Sequence, residues 1–146
     1  MGATWVEVED RLEAALVALE DREFLVLGEP AADPGPRRGL LRRRPAPPPR
    51  RYTQFRFAGD WIYAECVGSE LFGGDWAATP QQHESLRELG WLAPGDEDPT
   101  QTQPPYPNYW RTVPSSERAR LSSPAVRALE VLDADPGELV LERGRV

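Results

Sequence analysis

Lysine is missing from this chain: its 17 basic residues are all arginine, set against 24 acidic ones. That absence removes two chemistries, because a P-loop needs its phosphate-binding lysine and a Schiff-base enzyme needs a lysine amine. Cysteine occurs once, at Cys66, so the chain has neither a disulfide framework nor a Cys-based metal site of its own. Histidine also occurs once, at His83. No apolar run approaches the roughly 18 residues of a membrane span. Met1 to Glu20 is acidic and lacks the basic n-region of a secretory signal. Val6 stands where a myristoylation motif wants Ser or Thr. The expected location is cytoplasmic, without a membrane partner.

What is present describes a folded chain. With 146 residues, 40% apolar and 28% charged, it is expected to form a single domain over residues 1–146 with one real core. Five Trp, four Tyr and four Phe supply large buried or sticky surfaces. A net charge of −7 repels nucleic acid and anionic membranes, which makes nucleic acid an unexpected partner. All-arginine basicity with 16 Pro and abundant Ala and Gly reads as a GC-rich, actinobacterial-type coding sequence. That is a statement about codons, not about mechanism.

Thr4 followed by Glu7 is a capping-box pattern. Trp5, Val8, Leu12, Leu16 and Leu19 then recur at helical spacing, which predicts a helix to about Glu20. Phe24 to Leu27 reads as a short strand. Residues 29–51 contain seven Pro and an arginine series, Arg37, Arg38, Arg42, Arg43, Arg44, Arg50 and Arg51, and predict a mobile loop. Tyr52–Ala58 and Trp61–Val67 are strand-like and joined by Gly59-Asp60, a two-residue hairpin turn of type II′ character. That turn sets the register: Ala58 faces Trp61, Phe57 faces Ile62, Phe55 faces Ala64 and Thr53 faces Cys66. Because side chains alternate, Thr53, Phe55, Phe57, Ile62, Ala64 and Cys66 form a core face, and Gln54, Arg56, Trp61, Tyr63 and Glu65 form the other.

Gly68 to Ala78 reads as a turn displaying Leu71, Phe72 and Trp76. A helix follows from Thr79 or Pro80 to Gly90, then an acidic, Pro-rich loop over residues 93–107, a strand over 109–113, a helix over 115–133 with a break at Pro124, and a last apolar segment at 139–141. A hairpin without a parallel crossover repeat predicts an α+β fold.

Few residues look chemical. A catalytic His83 would need a nucleophile and an orienting acid, and Cys66 falls on the core face of the hairpin. Cys66 reads as a small buried hydrophobe rather than a reactive thiol. Asp96, Glu97 and Asp98 lack the spacing of a calcium loop, and Asp133 and Asp135 look like helix-end and turn residues. No cofactor or metal is implied. The arginine-rich loop has two functional readings, phosphate contact or a proline-rich ligand, and one bland reading as a solvated insertion. It lacks interleaved aromatics for a stacking platform, which favours the bland reading. On the outer hairpin face, Arg56 and Tyr63 are cross-strand neighbours placed for a cation–π contact, with Trp61 beside them. Exposed aromatics rimmed by polar groups suggest an interaction surface, unless another element covers that face.

Several features resemble the TY-Chap domains of the Tir-chaperone (type III secretion chaperone) and YbjN-like groups. They are Trp5 with its leucine stripe, Gln54-Phe55 entering a strand, Glu65 within the Trp61–Val67 strand, Leu89-Gly90-Trp91 before Pro94, Pro107-Asn108-Tyr109, and Val126 to Leu132 before Pro136 and Leu139. The resemblance covers nearly the whole chain. It implies an antiparallel sheet packed against helices, a non-catalytic domain that holds a partner protein, and a homodimer as a possible state. The expected function is a chaperone or adaptor for a partner polypeptide, such as a secreted effector, a toxin or a signalling protein. The alternative is an immunity or regulatory protein that neutralises one toxin or enzyme. The candidate contact residues are Arg56, Trp61, Tyr63, Leu71, Phe72 and Trp76.

Overall fold

A computed structural model describes residues 2–30, 48–96 and 107–145. The chain begins with helix α1 (Trp5–Ala18), strand β1 (Glu23–Gly28) and the β2–β3 hairpin (Tyr52–Ala58, Trp61–Cys66). Helix α2 (Pro80–Glu88), strand β4 (Tyr109–Pro114), helix α3 (Ser122–Val131) and strand β5 (Val140–Arg145) follow. Short 3-10 turns lie at Glu70–Phe72, Ser115–Leu121 and Pro136–Glu138. The strands make one five-stranded antiparallel sheet in the order β4-β3-β2-β1-β5. The fold is α+β, as expected.

The hairpin forms in the register that its turn predicts, with Ala58 opposite Trp61, Phe55 opposite Ala64 and Thr53 opposite Cys66. Gly59 takes φ +64° while Asp60 keeps a negative φ, the combination of a type II′ turn. One sheet face carries Leu25, Leu27, Phe55, Ile62, Ala64, Cys66 and Tyr109. It packs with Val8, Leu12 and Leu16 of α1, Leu86 of α2, and Ala125, Val126, Ala128 and Leu129 of α3 in a single buried cluster. Each fully buried Leu or Phe in it contributes about 2 kcal/mol.

The helix boundaries show which local forces win. Thr4 accepts the Glu7 amide, so the N-cap at α1 forms as read. The reciprocal capping box is found instead at α2, where Thr79 Oγ1 accepts from the Gln82 amide and Gln82 Oε1 accepts from the Thr79 amide. Helix α1 stops at Ala18, short of Glu20, because Leu19 turns inward with extended backbone and the Glu23 carboxylate takes the Glu20 amide at 2.7 Å. The predicted helix over 115–133 is a 3-10 segment followed by α3. The change of pitch comes at Leu121–Ser122, and Pro124 occupies the first turn of α3, where its missing N–H costs nothing. Strand β5 extends from Val140 to Arg145, beyond the 139–141 segment that the apolar pattern marks. Arg37, Arg38, Arg42, Arg43, Arg44, Glu97 and Asp98 lie outside the described residues.

Candidate functional site

The alternation that buries Leu25, Phe55 and Ile62 turns their neighbours to the other face of the sheet. Pairing across strands β1 to β4 gives that face two rows: Phe24, Arg56, Tyr63 and Thr112, then Val26, Gln54, Glu65 and Trp110. Trp61 lies diagonal to Arg56 and is 41% exposed. Phe24, Val26, Trp61, Tyr63 and Trp110 all stand outside the buried core cluster, and no described helix residue in that cluster reaches them. The face is therefore a mixed surface of aromatic, aliphatic and polar side chains outside the helix-packed core.

Its details differ from a plain apolar patch. The Phe24 ring lies over Gly144 of β5, where a Cβ would meet the ring at 2.4 Å. The Gln54 amide donates to the Glu65 carboxylate. Trp110 is fully buried, and its indole Nε1–H finds no acceptor among the described residues. A buried donor without a partner costs on the order of 1–3 kcal/mol, so its retention calls for an explanation. Arg56 is exposed, and its guanidinium has no ion pair or cation–π contact among the described residues. The contact expected between Arg56 and Tyr63 is thus a register neighbourhood rather than a formed cation–π pair.

The other expected contact residues occupy a different place. Ser69 and Trp76 form a short bridge that closes the turn after β3, and Ser69 Oγ accepts the Leu71 amide. Leu71 projects into solvent at 64% exposure. Phe72 and Trp76 fold back against the core. The Phe72 ring meets Tyr109 edge-on at 5.1 Å, and Arg51 lies over the Trp76 ring at 4.8 Å. The structure brings Arg56, Trp61 and Tyr63 together on the open face and places Phe72 and Trp76 on the core side. Half-buried Phe24 and Val26 share the open face, as does Trp110, whose side chain is fully buried there. Residue type alone did not mark them, since Phe24-Leu25-Val26-Leu27 is apolar at every position and Trp110 sits beside an equally aromatic Tyr109.

His83 is half-buried on α2, with Nδ1 2.7 Å from the Tyr109 hydroxyl. Burial pushes the Tyr109 phenol up to about 12 and, opposite it in the sheet, the Cys66 thiol up to about 12. Both groups hold their protons at neutral pH, so Cys66 is a packed thiol rather than a nucleophile. Asp96, in turn, is spent on the Ala93 amide and the Arg87 guanidinium, both at 2.8 Å.

No curated protein and no solved structure matches the chain. A protein-family model, TY-Chap3, described as "T3SS (YopN, CesT) and YbjN peptide-binding chaperone 3", matches residues 1–142. With a helix-backed antiparallel sheet and a match over nearly its full length, the chain belongs to the TY-Chap3 family of peptide-binding chaperones.

Proposed function

We propose that this chain is a non-catalytic, cytoplasmic chaperone or adaptor that holds a segment of a partner polypeptide against the open face of its sheet. The observation that carries the reading is the asymmetry of the sheet: one face is sealed by α1, α2 and α3, while the other carries Phe24, Val26, Trp61 and Tyr63 outside the core. A folded protein keeps large aromatics at a solvent boundary at a cost in solubility, and such surfaces mark interaction sites. Arg56, Trp61 and Tyr63 are the proposed contacts. Leu71 is a separate exposed apolar position, presented by a turn that Phe72 and Trp76 anchor.

The test is binding of the full chain to an array of short peptides, followed by solution titration of the best binders. Trp61→Ala is expected to weaken binding about tenfold or more, as truncation of an aromatic anchor does, with an unchanged circular-dichroism spectrum. Equal affinity of Trp61→Ala and wild type would overturn the placement. The acidic net charge of −7 favours a second reading, capture of one folded basic enzyme or toxin. Salt-sensitive one-to-one binding to such a protein, without affinity for peptides, would replace the first reading with the second.

A further inference from the structure

Beside the β2–β3 turn, at the end of the sheet, lies a shallow depression of about 500 Å³ lined by Asp21, Arg22, Arg56, Phe57, Ala58 and Gly59. Two exposed arginines, Arg22 and Arg56, are among the lining residues. Nearly every other described arginine is committed. Arg51, Arg87, Arg120, Arg127, Arg143 and Arg145 are in ion pairs. Arg50, Arg111 and Arg118 donate to backbone carbonyls. The side chains of Arg22 and Arg56 have no such partner among the described residues. Arg11 shares that lack, but it lies on α1 and does not line the depression. Asp21 is the acidic group in the lining, and its Oδ1 already accepts the Gly59 amide at 2.9 Å. Asp60 is next in the turn but outside the lining. The lining thus has two arginines and one aspartate, a local surplus of one positive charge within a chain whose net charge is −7.

We propose that this depression receives the carboxylate of an Asp or Glu side chain in the bound peptide, and that an adjacent large apolar residue of the peptide lies on Trp61 and Phe24. The inference rests on the peptide-binding reading above and adds to it the chemistry of the segment. Guanidinium forks match a carboxylate with paired, charge-assisted hydrogen bonds. Arg56 is next to Phe24 across β1 and diagonal to Trp61, so one step along an extended peptide separates the two subsites. The remainder of the chain, being acidic, repels an acidic peptide at long range. A preference for a carboxylate therefore has to come from local contact, and this gives the test its sign.

The probe is a short, capped peptide of Ser, Thr and Leu with a central Phe-Glu pair, compared with the same peptide carrying Phe-Gln. Both are titrated into the full chain at physiological salt. The Glu peptide is expected to bind about tenfold more tightly than the Gln peptide, the effect of a charge-assisted pair. In the double variant R22Q/R56Q the preference disappears or reverses, and the readout is the ratio of the two affinities measured on the same variant, which a general loss of binding would not change. Both side chains are exposed, so the variant keeps its fold, and circular dichroism verifies it. Equal or tighter binding of the Gln peptide to wild type, or a preference that survives in R22Q/R56Q, would overturn this inference while leaving the chaperone reading intact. No binding of either probe or of any arrayed peptide would overturn both.

Discussion

Single residues in this protein are placed at some expense to the fold. Arg22 sits at φ +67°, the left-handed region where a Cβ is crowded, and its amide donates to the Phe57 carbonyl at 3.1 Å. Glycine there would relieve on the order of 1 kcal/mol of strain, and no hydrogen bond or ion pair of the Arg22 side chain among the described residues would be lost. Arg22→Gly is therefore expected to raise stability in urea titration and at the same time to weaken the preference for the Glu peptide. A variant that is more stable with undiminished preference would place the recognition on Arg56 alone. Cys66 behaves in the opposite way. Its thiol is fully buried and raised to about 12 by desolvation. Alkylation under native conditions is expected to run at the rate of global opening, and to become fast when denaturant exposes the strand. Rapid native labelling by a maleimide would contradict the packing described here.

At the scale of elements, arginine does work at helix ends that the helices do not do for themselves. The last turns of α1 and α3 contain no basic residue. Arg118 instead donates to the Leu16 and Val17 carbonyls of α1, Arg111 donates to Leu89 at the end of α2, and Arg51 donates to Leu132 and Asp133 at the end of α3. Each satisfies carbonyls that a helix leaves unpaired, and each meets the negative end of the helix dipole. Arg51 has the most partners: it also grips Glu29 with two nitrogens, at 2.9 and 2.7 Å. Arg51→Ala is expected to cost about 3 kcal/mol and Arg51→Lys about 2, because an ammonium cannot keep the fork to Glu29 while reaching both carbonyls. Full stability of Arg51→Lys in urea titration would refute that account. None of these caps was legible beforehand, because Arg51 and Leu132 stand 81 residues apart. The β2–β3 hairpin was legible to the residue, since alternation and the Gly59-Asp60 turn constrain the same register. Strand β5 was only half legible. The apolar pattern marks only 139–141, because Glu142, Arg143 and Arg145 are charged, yet an edge strand tolerates charge, and Arg143 meets its partner Glu23 only once β5 lies against β1. The candidate site divides in the same way: Arg56, Trp61 and Tyr63 follow from the hairpin, whereas Arg22 and Phe24 join them only through the β1–β2 pairing.

The whole molecule is closed by contacts between its two ends. Strand β1, near the start of the chain, pairs with β5 at its finish, from Glu23–Arg145 to Gly28–Val140. Glu23 binds Arg143 across that seam, and at the other end of β1 Glu29 binds Arg51. In both cases the hydrogen bond from the arginine holds the carboxyl below its ordinary value of 4.5. The folded state therefore binds fewer protons than the unfolded one through the acid range. The resulting stability is fully present above the ordinary carboxylate range and is lost as pH falls through the lowered folded values. Wild type is expected to hold a level Tm around neutrality and to lose it progressively below about pH 4.5. Glu29→Gln isolates one seam. At pH 7 it should be less stable than wild type by about 1 kcal/mol, a modest figure because the pair is partly solvated. That gap should shrink as the pH is lowered toward about 3, where the wild-type carboxylate also loses its charge. Urea titrations of the two proteins across this range decide the matter. A gap that stays constant from neutral to acid pH would show that Glu29 holds β1 to Arg51 by shape and neutral hydrogen bonding, and that the acid sensitivity of the fold arises elsewhere.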